Sequence, residues 1–172
     1  MTMTTKAVLL LAVLGLAACN NPDRYGAGGA GADGGAGAGA GAGQGGAGDP
    51  TSVAYFNQTV GDRVLFAVDQ STLSDQARTV LAGQSQWLNT NADYAVIIEG
   101  HADEQGTREY NLALGARRAS AVQNYLISQG VSATRMRTVS YGKERPIEVC
   151  SEEACYSRNR RAVTVLSMGA GT

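Results

Sequence analysis

Histidine is almost missing from this chain: His101 is the single one in 172 residues. A nucleophile–histidine–carboxylate centre therefore has one place to form, and no such constellation is visible around it. Cysteine is scarce too, at three residues. Two of them, Cys150 and Cys155, have no histidine nearby and would make a poor zinc site. No lysine- or arginine-rich run exists, which argues against nucleic acid as a partner. After the N-terminal region no second long apolar stretch occurs, which argues against a membrane-spanning channel or barrel. A net charge of −1 points to no partner class.

What is present begins with "MTMTTKAVLLLAVLGLAAC". Lys6 precedes an apolar run from Ala7 to Ala18, shorter than the ~20 residues of a membrane span. Charged, apolar and small-residue regions follow in the order of a secretory signal. Leu16-Ala17-Ala18-Cys19 resembles the lipobox of bacterial lipoproteins, which implies cleavage after Ala18 and acylation of Cys19. Each buried acyl CH₂ contributes about 0.8 kcal/mol, so several chains anchor stably. Asn20, in place of Asp, favours outer-membrane sorting by the enterobacterial rule. Loss of Lys6 with the leader moves the net charge from −1 to −2.

"YGAGGAGADGGAGAGAGAGQGGAGDP", residues 25–50, offers almost nothing larger than methyl to bury, and its glycines lose much entropy on ordering. It reads as a tether spanning roughly 30 Å on average over about 30 residues. The expected organisation is a signal peptide at 1–18, a lipidated tether at 19–52 and one folded domain at 53–172. If Cys19 carries lipid, Cys150 and Cys155 remain. In an oxidising compartment a disulfide is the expected state. Its short loop contributes about 2 kcal/mol in the chain-entropy account. Two free thiols or an adventitious metal site are the alternatives.

In the folded part, "DRVLFAV" (62–68) reads as a strand closed by Asp69. Ser74 caps a helix whose Ala77, Val80, Leu81, Gln84, Trp87 and Leu88 fall on one stripe. Residues 93–102 form a second strand, and Gly106 tips the following turn. A helix runs from about Tyr110 to Gln129 with Gly130 past its end. Strands follow at 135–142 and 160–167, with 143–156 mostly loop. The order β-α-β-α-β-loop-β predicts a two-layer α/β sandwich, with right-handed crossovers and helices on one face of the sheet. With no long helix ahead of it, the last strand has room to run antiparallel, giving a mixed sheet.

"GHADEQGTREYNLALGARR" (100–118) concentrates the charge. On a helical wheel Asn111, Leu114, Arg118, Val122, Tyr125 and Leu126 share one face. Arg118 thus meets the core edge, where a guanidinium needs an anion. Asp103 is the nearest, and Asp69 ends the neighbouring strand. Ligands gather at the carboxyl ends of parallel strands. Two carboxylates beside one guanidinium suit a zwitterion; an internal Asp103–Arg118 salt bridge is the competing account. A metal site from His101, Asp103 and Glu104 is disfavoured because strand side chains alternate. A wall-acting enzyme built on His101 and the nearby carboxylates is the remaining alternative.

The runs "EGHADEQGTREYNLALGARRASAVQNYL" and "VSYGKERPI…YSRNRRAVTV" closely resemble the peptidoglycan-associated lipoproteins of the OmpA C-terminal-like family, over nearly all of residues 60–166. The resemblance implies an OmpA-C-like fold and a non-catalytic domain with no cofactor. Its implied ligand is the diaminopimelate of the peptidoglycan stem peptide, with Asp103 on the ammonium and Arg118 on the carboxylate. Asp69, Asn111, Leu114 and Arg117 match further pocket or support positions. Asn159 and Arg160 match orienting groups in the closing N-R-R motif, completed by Arg161. Ala67 stands where many members have aspartate, and Val68 where an aromatic often packs on the ligand. The implied partners are peptidoglycan, the periplasmic propeller protein TolB and, in some conditions, TolA. The flagellar stator proteins carry a related domain, but they need a membrane span with a proton-carrying carboxylate, which this chain lacks.

Overall fold

The computed structural model describes residues 46–168. The expected signal peptide, Cys19 and nearly all of the Gly/Ala tether lie outside the described residues. Ser74 does cap the first long helix, α2 (Asp75–Thr90), accepting from the Ala77 amide. The α2 stripe then buries Ala77, Leu81, Gln84, Trp87 and Leu88. Gln84 is tolerated there because both ends of its amide are satisfied. It donates to the Gly61 carbonyl at 2.7 Å and accepts from Thr164 Oγ1 at 2.7 Å. Trp87 packs between Phe56 and Tyr94, and its indole N–H donates to the Pro50 carbonyl. This contact ties in the entering chain, so packed residues begin a few positions before 53. That chain forms a short helix α1 (Val53–Tyr55) and a π-helical turn, Phe56–Gly61, where no regular element was expected.

Four strands build one mixed sheet: β1 (Arg63–Leu65), β2 (Tyr94–His101), β3 (Met136–Gly142) and β4 (Arg161–Met168). Their order is β1-β4-β2-β3. β2 and β3 are parallel, while β4 runs antiparallel to both β1 and β2. The last strand in sequence is therefore inserted between the first two. Val96, Ile98 and Ala162 point into the core with Leu81, Val122 and Leu126, while Ile97, Val163 and Val165 on the other sheet face stay half-buried. This is the α/β architecture expected, with three corrections to its elements. β1 is three residues long rather than seven, because the chain turns away after Leu65. Part of the expected 143–156 loop is helical, opening α4 (Glu153–Asn159). The second long helix, α3 (Arg108–Ser128), starts two residues early because Thr107, not a later residue, caps it. Among the described residues no helix is long and apolar enough to cross a membrane.

Candidate functional site

α3 is pressed against β2 where two glycines face each other. A Cβ added to Gly100 would lie 1.8 Å from the Gly115 carbonyl oxygen. One added to Gly115 would meet Ser140 Oγ at 2.4 Å and the Gly100 oxygen at 2.8 Å. Only glycine permits this approach, and it sets Arg118, one turn further on, against the carboxyl end of β2.

Arg118 is fully buried, with 0% exposure. Its Nε donates to the Gln70 carbonyl at 2.8 Å, Nη1 to His101 O at 2.8 Å and Nη2 to Ala67 O at 3.1 Å. The guanidinium also lies over the Phe66 ring, 5.2 Å from its centroid. These bonds explain the short β1: its continuation, Ala67 to Gln70, wraps the guanidinium instead of pairing in the sheet. Burial pulls the Arg118 pKa down to about 10, opposed by the Asp103 charge. The group remains cationic at neutral pH. A guanidinium carries five N–H donors, so one N–H on each terminal nitrogen is left over.

The internal Asp103–Arg118 bridge, the competing account of the sequence, is not formed among the described residues. Asp103, 8% exposed, instead accepts from Arg160 Nη1 at 3.1 Å and from the Gln105 amide at 3.3 Å. Arg160 is itself buried. It donates through Nε to the Phe66 carbonyl and through both terminal nitrogens to Glu153. Burial opposes its charge, but the bonds to Glu153 and Asp103 outweigh it, and its pKa rises. Asn159, fully buried, accepts from the Ile147 and Glu148 amides and donates to Glu104 Oε1 at 2.6 Å. It thereby joins the β2–α3 turn to α4. Lys143 pins the same turn through the carbonyls of Glu104 and Gly106.

Other residues singled out in the sequence scatter more widely. Asn111 is buried and donates to the Gln105 carbonyl at 2.7 Å, and Leu114 is buried beside it on α3. Both support the Asp103 turn and the helix beneath it. Asp69 is exposed, has a left-handed backbone with φ of 58°, and accepts from the Tyr110 hydroxyl. Arg117 points outward over the Tyr110 ring, 5.9 Å from its centroid, so it lies at the rim. Ala67 contributes its carbonyl to Arg118, and Val68 is 58% exposed at the same rim. Cys150 and Cys155 are joined as a disulfide.

His101, Asp103 and Glu104 do not converge. His101 is 1% exposed, packs on Tyr141, and neither ring nitrogen has a hydrogen-bond partner among the described residues. Burial, then the charges of Arg161 and Arg145, push its pKa down to about 4. Among the described residues no group of three or more His, Cys, Asp or Glu is placed to hold a metal ion. Two participants escaped the sequence reading, Glu153 and Tyr110. The first had a faint signal: a glutamate two turns ahead of Arg160 in a run that a short helix would align.

The fold is that of an OmpA-C-like α/β domain. The OmpA family profile matches residues 65–160. The peptidoglycan-associated lipoprotein of Mesorhizobium japonicum is 48% identical over all of this chain and 96% of its own length. That of Rhizobium meliloti is 55% identical over 74% of this chain and 72% of its own. The crystal structure of the peptidoglycan-associated lipoprotein from Burkholderia pseudomallei aligns with a TM-score of 0.64 at 36% identity. That alignment covers 69% of this chain and 100% of the other. The chain belongs to the peptidoglycan-associated lipoproteins of the OmpA family. The C-terminal domain of Helicobacter pylori MotB, at 20% identity and a TM-score of 0.59, shares the fold.

Proposed function

We propose that this protein is an outer-membrane lipoprotein whose domain binds peptidoglycan non-covalently through the diaminopimelate of the stem peptide. The observation that carries this reading is Arg118: among the described residues it is a buried cation held only by carbonyl oxygens, with two N–H groups left over and no carboxylate paired to it. The free end of diaminopimelate supplies that carboxylate, and its ammonium goes to Asp103, which Arg160 engages through a single oxygen. Since Arg118 is covered, the ligand enters by displacing the exposed Ala67–Gln70 turn, whose hold on the guanidinium is two hydrogen bonds. Asp69, Tyr110 and Arg117 form the rim it passes. Asn111, Leu114 and Asn159 hold the floor.

Residues 1–18 serve as signal peptide, Cys19 as the lipid attachment point, residues 19–52 as tether and 53–172 as the binding domain. The protein then acts in the Tol-Pal system, with TolB and TolA as partners. There it maintains outer-membrane integrity and draws that membrane inward at division. The relatives' names, lipoproteins and not enzymes, support a binding role. So does a histidine that is 1% exposed and packed on Tyr141, out of a substrate's reach. Co-sedimentation with purified sacculi tests the reading. Arg118→Lys, which keeps the charge but not the fork, is expected to lose about 2–3 kcal/mol of binding. Undiminished sedimentation would remove Arg118 from the site.

A further inference from the structure

Arg160 divides its guanidinium between two carboxylates of opposite character. Asp103 is buried at the site, whereas the Glu153 side chain is 66% exposed. A solvated carboxylate of that kind contributes little to stability, yet Glu153 engages both terminal nitrogens of Arg160. The element carrying it is frail. α4 has seven residues and Glu152 gives it no side-chain cap, well below the length at which a helix holds itself. Asn159 ties its far end to residues 147, 148 and 104, while its first turn is tied to the preceding loop by the Cys150–Cys155 disulfide, which brackets Glu153, with Cα atoms 5.9 Å apart.

We propose that Glu153, held inside the disulfide loop, is a specificity-determining positioning residue that keeps Asp103 available for the ligand ammonium. The inference rests on diaminopimelate being the ligand. An ionised carboxylate offers about four acceptor sites. Asp103 uses two, one to Arg160 and one to the Gln105 amide. With Glu153 in place, the second terminal nitrogen of Arg160 is occupied. Without it, Arg160 is free to close on Asp103 as a two-toothed pair, the geometry guanidinium and carboxylate favour. Charge works in the same direction. Arg118 and Arg160 are balanced by Asp103 and Glu153, a neutral cluster suited to a zwitterion. Removing Glu153 leaves a surplus positive charge, which repels an ammonium and not a carboxylate. The depressed pKa of Glu153, caused first by its hydrogen bond to Arg160, keeps it ionised throughout.

The test is calorimetric titration of the full chain in detergent micelles with two stem tripeptides. One ends in meso-diaminopimelate; the other ends in 2-aminopimelate, which keeps the far carboxylate and lacks the far ammonium. Glu153→Gln is expected to weaken the first by about fivefold, the scale of an exposed charge contact, and to leave the second unchanged or tighter. Cys150→Ser/Cys155→Ser is expected to reduce the preference in the same direction. Equal losses on both peptides, or an unchanged preference, would overturn the role of Glu153. An unchanged preference in the cysteine variant alone would overturn the part given to the disulfide. A wild-type chain that binds neither peptide would remove the ligand itself, and the inference with it.

Discussion

Arg118 and Arg160 are both buried at the same end of the sheet, and both donate to carbonyls of the segment after β1. Their other partners differ. Among the described residues Arg118 has only carbonyl oxygens, and burial lowers its pKa; Arg160 has two carboxylates, and its pKa is raised. One cation is committed to the protein's own anions, and the other is left short of one. A fold holds an unneutralised guanidinium only by surrounding it with dipoles, and three carbonyls do that for Arg118. The pair therefore separates into a structural arginine that engages Asp103 and an arginine without an anion among the described residues, the one we propose meets the ligand.

Breaking this contrast at its receptive half is expected to have the largest effect. Arg118→Leu strands the buried His101 carbonyl and takes the donor from those of Ala67 and Gln70, and should cost about 3–5 kcal/mol in urea unfolding, besides abolishing binding. A cost below about 1 kcal/mol would mean the carbonyl cage is not needed for folding. Arg160→Leu leaves Asp103 buried without its cation, and about 2–4 kcal/mol should be lost. Asp103→Asn in the same background should recover part of that, since the uncompensated charge disappears. Gly115→Ala pushes α3 off β2 and should cost about 1–3 kcal/mol. Because Arg118 moves with the helix, ligand affinity should fall alongside stability.

A titration separates the site from its neighbour His101. The folded imidazole, at about 4, lies below the ordinary unfolded value of 6.5. Between those values the unfolded chain binds more protons, so stability falls as pH drops from about 6.5 and levels out below about 4. The slope approaches at most about 1.4 kcal/mol per pH unit. His101→Gln should flatten it; a slope that survives the substitution would assign it to another group. Smallest of all, Arg117→Ala should change stability by less than about 0.5 kcal/mol, as expected of an exposed rim residue.

The helices were legible because their faces are periodic: the α2 stripe and the Ser74 cap could be read from spacing alone. The wheel also isolated Arg118 as a cation out of place. Its partners were hidden, because backbone carbonyls leave no mark in a sequence. The same fact shortened β1, since the expected strand residues were diverted to cage the guanidinium. The Asp103–Arg160 pair spans 57 positions and depends on α4, whose cysteines and lack of a side-chain cap make it resemble a loop. The internal bridge weighed as an alternative, to Arg118, was the one with the shorter separation in the chain.

The position of β4 carries a consequence for how the molecule comes together. The strand inserted within the sheet, Arg161–Met168, is the last of its four strands to be synthesised. Until it arrives, β1 has no neighbour, β2 lacks one side, and Arg160 just ahead of it has not reached Asp103. The sheet closes like a drawer whose final board is an inner one. A chain interrupted before residue 161 should thus be unable to complete either its hydrophobic interior or its charged cluster, so both are achieved in the same late event.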